Sequence, residues 1–246
     1  MSLSPLRRHG WLLASVALAA SPLARAIEIT AEGITAPVFD AAGHKTHELK
    51  ARRGTGSPTQ KHLEGVEVRY FALDDATRVV QRVLTDEATW DQTKGTLTGN
   101  GAVTVENPLS TLSGRGFDFA LATSVLNVQR EFKLIMPEFV LTSDRAIAEL
   151  AVERSGDRMK IRDLKRCEAT DNLRIVVLPA GKKSFEFAEA TSTHAIYDGS
   201  TRIVTFPNPL RGRAKDSKVD VETEFEKTEV KLGPPPPRAA PAVSGR

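Results

Sequence analysis

Short runs of alternating apolar and polar residues, separated by turn residues, extend over most of this 246-residue chain. Residues 66–70 (VEVRY) alternate, residues 79–90 follow, and residues 91–95 (DQTKG) form a turn before the next run at 97–105. Successive side chains of a β-strand point to opposite faces of its sheet, so this pattern is typical of an antiparallel sandwich, roll or barrel. At about 12 residues per strand and turn, the chain holds on the order of 14 to 16 strands.

Residues 145–154 allow two interpretations. They are good helix formers with Ile147 and Leu150 at helical spacing, but Ala146, Ala148 and Leu150 also alternate along one face of a possible strand. Because strands are expected on both sides, we predict a strand here. No other segment has a convincing helical pattern, so the sequence predicts an all-β fold and disfavours βαβ architectures.

The beginning of the chain has the features of a signal peptide. Arg7 and Arg8 are followed by an apolar run and by Ala24 and Ala26, which form a small-x-small cleavage site. The 16 residues between the two basic groups would reach about 24 Å as a helix, short of the ~30 Å hydrocarbon core. We therefore expect cleavage after Ala26 rather than a retained membrane anchor, and hence a periplasmic protein.

Removing this leader changes the charge of the chain. Three of the 34 basic residues (Arg7, Arg8 and Arg25) and none of the 31 acidic residues lie in it, so the remainder has 31 of each. The net charge of +3 thus belongs to the leader, and a nucleic-acid partner loses its main support. The single cysteine, Cys167, excludes a disulfide framework within one chain.

The composition divides the chain into three parts. Residues 1–26 are the leader, and residues 233–246 begin with Gly-Pro-Pro-Pro-Pro and are rich in Pro, Ala and Ser, so we expect an extended, disordered tail. Residues 27–232 are left to form the folded domain, with an N-terminal half at 33–142 and a C-terminal half at 143–232.

One hairpin pattern occurs twice, at residues 88–98 and 195–205. Each copy has a small residue, a spacer, an aromatic residue, Asp, a polar loop and a returning strand. The aromatic residues, Trp90 and Tyr197, share a face with the small residue two positions before them. The Asp that follows is expected to open the turn by accepting hydrogen bonds from the backbone. The length of the match favours an internal repeat over a chance similarity between two hairpins.

The first copy resembles the hairpin of the periplasmic lipopolysaccharide-transport family, which comprises LptC, LptA and the OstA-like N-terminal domain of LptD. That hairpin reads roughly A-x-Y-D followed by L-x-G-N-V, and residues 88–91 (ATWD) and 97–103 (LTGNGAV) match it. LptC also opens its domain with F-D-x-x-G, as in residues 39–43 (FDAAG), followed by a strand similar to residues 65–70 (GVEVRY). The resemblance covers residues 33–135 well and 185–230 more weakly.

The resemblance implies a β-jellyroll, V-shaped and open at its ends, that binds lipid acyl chains between its two sheets. Such a protein needs no cofactor and carries lipopolysaccharide from an inner-membrane permease towards the outer membrane. Its partners are LptA-like or LptC-like jellyrolls that pair through sheet edges. LptC retains a membrane anchor whereas this leader looks cleavable, so both a tethered and a soluble role stay open.

A lipid carrier needs an apolar surface, because each buried methylene contributes about 0.8 kcal/mol. We expect Gly99, Gly101 and Ala102 to leave room for a ligand on that surface. The alternative is that the inward residues only pack against one another as core. The candidate groove residues are Ala88, Trp90, Leu97, Val103, Val105, Phe117, Phe119, Leu126 and Val128.

Two further features fit such a carrier. The first strand, near residues 34–39, and the last, near residues 219–230, are candidates for exposed edges that pair with another chain. Arg211, Arg213 and Lys215 form a basic cluster that is a weak candidate for binding headgroup phosphates.

Signals of catalysis are absent from the sequence. It contains no G-x-S-x-G, no H-E-x-x-H and no phosphate-binding loop. His44 and His47, three apart on a strand, would face opposite sides, so we expect no metal site. The chain is therefore predicted not to be an enzyme.

Two other functions compete with lipid transport. One is a structural or adhesion β-roll that stacks through its edges around a closed, dry core. The other is a glycan-binding or glycan-cleaving sandwich, which would need aromatic stacking platforms. The chain has only two Trp and two Tyr, which disfavours the glycan hypothesis.

Overall fold

The computed structural model describes residues 29–40, 43–72, 75, 77–150, 153–155, 158–160, 164–214, 222–226 and 228–234. The expected signal peptide at 1–26 lies outside these residues, as does all but the first two positions of the expected tail at 233–246. No helix among the described residues is long and apolar enough to cross a membrane.

The prediction of an all-β fold is confirmed: apart from a 3-10 turn at Pro179–Gly181, every regular element in the described residues is a strand. The strands are β1 (Ile29–Phe39), β2 (Lys45–Gly56), β3 (Gln60–Phe71), β4 (Val79–Asp91), β5 (Thr96–Glu106), β6 (Thr111–Ala120), β7 (Val125–Ile135), β8 (Phe139–Ser143), β9 (Arg145–Glu149), β10 (Glu153–Ser155), β11 (Arg158–Lys160), β12 (Arg166–Val177), β13 (Phe187–Asp198), β14 (Ile203–Phe206), β15 (Leu210–Ala214), β16 (Glu222–Phe225) and β17 (Thr228–Lys231).

Fifteen of these strands form one antiparallel sheet. Its main path runs β1-β2-β3-β4-β5-β6-β7-β8-β12-β13-β14-β17, so most neighbours in the sheet are also neighbours in sequence. β8 and β9 lie end to end between β7 and β12, and β14 and β15 lie end to end beside β13. The sheet is thus one continuous meander, and β10 and β11 form a separate hairpin.

The long strands bend near their middles. Register shifts interrupt the pairing of β4 with β5, β5 with β6, β6 with β7 and β12 with β13. Such bulges bend a strand and increase its twist. We call this line of bends the crease. Backbone angles φ between +46° and +66° occur along it at Gly33, Gly65, Gly116, Glu131, Asp171 and Asn172.

The bends fold the sheet into two layers that face each other. β12 has 12 residues and would span about 40 Å if straight. Yet Glu138, which lies beside the C-terminal end of β12, contacts Arg202, which lies beside the N-terminal end of the same strand, at 2.6 Å. We call the two layers A and B: layer A holds residues 60–64, 87–91, 96–99 and 117–120, and layer B holds residues 66–71, 79–85, 103–106 and 111–115.

The apolar core lies between the layers. In each layer, residues that are paired across neighbouring strands form one inward-facing row. Burying a large apolar side chain contributes about 1.5–3 kcal/mol to the stability of the fold. In layer A the row is Leu97, Phe119, Leu126, Ala148, Cys167, Tyr197, Val204 and Val230. In layer B it is Leu49, Val68, Val83, Val105, Leu112, Leu134, Leu141, Ile175 and Ala190.

The repeated hairpin is present in the structure with the same turn chemistry in both copies. Asp91 Oδ1 accepts hydrogen bonds from the backbone N–H groups of Thr93 and Lys94, at 3.0 and 3.1 Å. Asp198 Oδ1 accepts the equivalent bonds from Ser200 and Thr201, at 2.7 and 3.3 Å. The hydroxyl groups of Thr93 and Ser200 donate to the same two oxygens at 2.6 Å and are the main cause of the lowered pKa of the two carboxyl groups, to which the backbone bonds also contribute. The predicted turn geometry is therefore confirmed.

The ambiguous segment is a strand over Arg145–Glu149, as predicted. Ala146, Ala148 and Leu150 are all buried between the layers, while Ile147 is exposed on the outer face. The alternation therefore decided the structure here, because pairing with β7 and β12 holds the segment extended. Residues 151 and 152 lie outside the described part of the chain.

Substituting Gly114 tests how tightly the sheet packs at the crease. A Cβ added there would lie 2.2 Å from Val128 Cγ1 and 3.1 Å from the carbonyl oxygen of Arg130. We expect Gly114→Ala to lower the free energy of unfolding by about 1–3 kcal/mol. A Cβ at Gly101 meets nothing within 4 Å, so Gly101→Ala is the control, with an expected change under about 0.5 kcal/mol. Equal urea midpoints for the two variants would contradict this packing.

Thiol labelling tests whether the interior excludes solvent. Burial, with a smaller contribution from Glu168, raises the pKa of Cys167 to about 12, and only the thiolate reacts with alkylating reagents. We expect iodoacetamide to modify Cys167 at least about 100-fold more slowly in the folded protein than in urea. Similar rates in both states would mean that this end of the core is open to water.

Candidate functional site

The structure brings all nine candidate groove residues to the space between the layers. Eight of them are at most 2% exposed, namely Ala88, Leu97, Val103, Val105, Phe117, Phe119, Leu126 and Val128. Trp90 is half-buried and packs against the same core. These residues contact one another, so the interior is filled where they lie. The room expected beside Gly99 is occupied: an added Cβ would lie 2.5 Å from the ring of Phe117.

The interior is uncovered at the β1 end of the sheet. The inward face of β1 carries Ile29, Ala31, Ile34, Ala36 and Val38, opposite the inward residues of β2. Ile34 and Ala36 are only partly buried, and Ile29 and Val38 are each 41% exposed. β1 is the outermost strand on this side, so the apolar surface between the layers reaches the solvent here.

The opposite end of the sheet is better covered. Val230 of β17 and Leu232 just after it are each 4% exposed. Phe225 of β16 packs against Phe187, with ring centroids 5.8 Å apart. The prediction that the first and last strands form the edges is confirmed for β1, β16 and β17. Residues 219–221 and 227 of the predicted last strand lie outside the described residues.

A lysine and a tryptophan lie in layer A at the border of the uncovered β1 end, and we call this border the layer A rim. Lys61 of β3 is directly opposite Trp90 of β4, and Trp90 is opposite the fully buried Leu97, so both side chains face inward. Lys61 Nζ lies 5.7 Å from the centroid of the Trp90 ring and donates a hydrogen bond to the Pro58 carbonyl oxygen at 2.9 Å. The indole N–H of Trp90 is buried and has no acceptor within the described part of the chain.

An aromatic pair, His47 and Tyr70, lies in layer B at the border of the same uncovered end, which we call the layer B rim. His47 stacks on Tyr70 with ring centroids 5.3 Å apart, and burial lowers the pKa of His47. The Tyr70 hydroxyl donates to the Leu121 carbonyl oxygen at 3.4 Å, and its ring meets the ring of Phe119 edge-on at 6.4 Å. Burial raises the pKa of Tyr70, so this hydroxyl stays protonated and joins the layers opposite the crease.

A buried ion pair joins the two layers in the C-terminal half, as the Tyr70 hydroxyl does in the N-terminal half. Arg202 donates to Glu138 at 2.6 Å, and the two side chains are 17% and 6% exposed. Arg202 also donates to the Gly233 carbonyl oxygen at 2.9 Å, and the second carboxylate oxygen of Glu138 is buried without a hydrogen-bond partner in the described ranges. Glu138 and Arg202 are 64 positions apart, and no local pattern in the sequence pointed to this pair.

The predicted basic cluster lies away from the interior. Gly212, between Arg211 and Arg213, faces Ala190 in the core, so the two arginines are on the outer face of β15. Arg211 lies 4.0 Å from Glu224, and Arg213 interacts electrostatically with Glu189. Lys215 lies outside the described residues. The structure therefore does not bring this cluster together with the candidate groove residues.

A polar depression of about 720 Å³ opens on the surface near the crease. Asp86, Glu87, Arg115 and Asp118 are among its lining residues, so charges of both signs surround it. In the described part of the chain, no three His, Cys, Asp or Glu side chains are grouped so that they could hold a metal ion.

Comparisons with models of protein families and with curated proteins found no match to this chain. The resemblance to the lipopolysaccharide-transport family therefore depends on the sequence motifs at residues 39–43, 65–70, 88–91 and 97–103 alone.

The Glu138–Arg202 pair gives a prediction about stability. Arg202→Met leaves a buried carboxylate unpaired, and we expect the free energy of unfolding to fall by about 3–5 kcal/mol. Arg211→Met is the matched control, because its pair with Glu224 is 70% and 58% exposed, so its loss costs under about 1 kcal/mol. Chemical denaturation measures the free energy of unfolding of both variants. An effect of Arg202→Met as small as that of Arg211→Met would show that the pair does not hold the layers together.

Proposed function

We propose that this protein is an exported, periplasmic component of lipopolysaccharide export. It binds the acyl chains of lipopolysaccharide non-covalently between its two layers and passes the lipid from an inner-membrane permease towards the outer membrane. In this proposal the folded sheet is the V-shaped jellyroll of that family. The observation that carries it is the continuous apolar interior, which reaches the solvent along the inner face of β1.

The uncovered face of β1 suits the entry of acyl chains. Each methylene moved from water to this surface contributes about 0.8 kcal/mol, and Ile29, Ala31, Ile34, Ala36 and Val38 offer an apolar strip along the strand. Deeper binding requires the layers to move apart, because the core residues beyond β1 contact one another. The crease acts as the hinge of that movement.

The edges of the sheet support the proposed partners. Outer strands carry backbone N–H and C=O groups that lack a neighbouring strand, and another chain can pair with them by strand addition. β1 has 11 residues and so offers a long edge to an LptA-like or LptC-like partner. The role requires no catalysis and no cofactor. Both a soluble carrier and a tethered component fit it.

A structural or adhesion module is the second candidate. The observation in its favour is the close packing of the eight fully buried candidate residues, which gives the closed core that such a module needs. In that case β1 and β17 would pair with other chains, and the interior would never hold lipid.

Photo-crosslinking in living cells separates the two candidates. The full chain is expressed in a Gram-negative host with a photo-reactive residue at Ala36 or Trp90, which face inward. The control positions are Thr35 and Thr89, their immediate neighbours on the same strands, which face outward. We expect lipopolysaccharide adducts at the inward positions only.

Absence of adducts at both inward positions, in a protein shown to be folded and exported, would overturn the carrier proposal and favour the structural module. Equal adducts at inward and outward positions would indicate nonspecific contact with membranes and would also contradict it. Sequencing the mature N-terminus from the same preparation distinguishes a soluble carrier, which starts at Ile27, from a tethered one.

A further inference from the structure

Two hydrogen-bond donors at the layer A rim lack an anionic acceptor. Lys61 has no carboxylate oxygen within 4.0 Å among the described residues, and it contacts a carbonyl oxygen and the face of an aromatic ring. The indole N–H of Trp90 is buried, and no acceptor for it lies in the residues that the structure describes. A buried donor without a partner is destabilising, so this arrangement favours a ligand that supplies an acceptor.

The surroundings of Lys61 restrict what that ligand can be. On one side, Trp90 leads directly to Leu97 and the apolar core. On the other, only Gly56 separates Lys61 from the exposed Ile29 in the row of cross-strand partners, so Lys61 lies close to the apolar strip of β1. An ammonium group beside an open apolar face suits an amphiphile with an anionic head and hydrocarbon chains.

We propose that Lys61 and Trp90 bind the phosphate headgroup of the lipid whose chains enter along β1. The inference rests on the proposed function and adds the position of the head. A phosphate oxygen accepts from Lys61 Nζ, the Trp90 side chain turns on binding so that its buried indole N–H reaches the same phosphate, and the acyl chains lie on the inner face of β1. Charge-assisted bonds of this kind are stronger than neutral ones.

This assignment replaces the basic cluster at Arg211 and Arg213 as the headgroup site. Those arginines lie on the outer face of layer B, beside Glu224 and Glu189 respectively. A headgroup held there would be separated from the apolar interior by the sheet itself. Lys61 instead faces the same space as the hydrocarbon-binding strip.

The test uses the full chain with Trp11→Phe, which leaves Trp90 as the single tryptophan and makes its fluorescence report on the site. The probes are bisphosphorylated lipid A and the same lipid A with its phosphates removed. We expect the unmodified site to bind the phosphorylated lipid about tenfold more tightly or better, since a hydrogen bond to a charged group contributes about 1.5–3 kcal/mol.

In this background, Lys61→Gln is expected to abolish the preference for the phosphorylated lipid, and Lys61→Arg to retain most of it because the positive charge remains. Lys94→Gln is the matched control: Lys94 lies in the neighbouring β4–β5 turn, is 74% exposed and pairs with Asp91. The Lys94→Gln variant should bind both lipids with the affinities of the parent. Inorganic phosphate at millimolar concentration should leave the fluorescence unchanged.

Three results would overturn the assignment. They are an unchanged phosphate preference in Lys61→Gln, an equal loss of both lipids in that variant, and saturation of the site by inorganic phosphate alone. Binding of both lipids to the parent with equal affinity would refute the headgroup site and leave the carrier proposal standing. Binding of neither lipid would refute the carrier proposal itself.

Discussion

The whole structure depends on the bending of long strands at the crease. Straight strands of 11 to 13 residues in a sheet of this size would leave one face of apolar residues in water. Glycines at positive φ and register shifts let each strand fold back, so the two halves of one sheet bury each other. The core is therefore built from a single meander.

This construction explains why the two ends of the molecule differ. Every interior strand is covered by the strands on either side, whereas the inner face of β1 has no strand beyond it. The other end is covered by β16 and β17 and held by the buried pair of Glu138 and Arg202. In the proposed function, an apolar interior that is covered at one end and exposed at the other gives a lipid one entry side, and the unmatched donors of Lys61 and Trp90 lie beside it.

Much of this arrangement was readable in the sequence, because β-strands and their turns depend on local residues. Alternation gave the strands, including Arg145–Glu149, and Asp91 and Asp198 gave matching turns. The crease was not readable, since Glu131, Asp171 and Asn172 adopt positive φ without the glycine that usually signals it. Lys61 was missed because its position opposite Trp90 depends on strand register, and the pair of Glu138 and Arg202 depends on the folding of the sheet.

The most direct test of the central claim, that the interior holds lipid, is native mass spectrometry of the full chain purified from the periplasm of a Gram-negative host. The account predicts a population whose mass exceeds that of the polypeptide by one lipopolysaccharide molecule, released when the layers are separated by denaturant. A folded protein that carries only its own mass, in cells with abundant lipopolysaccharide, would contradict the account.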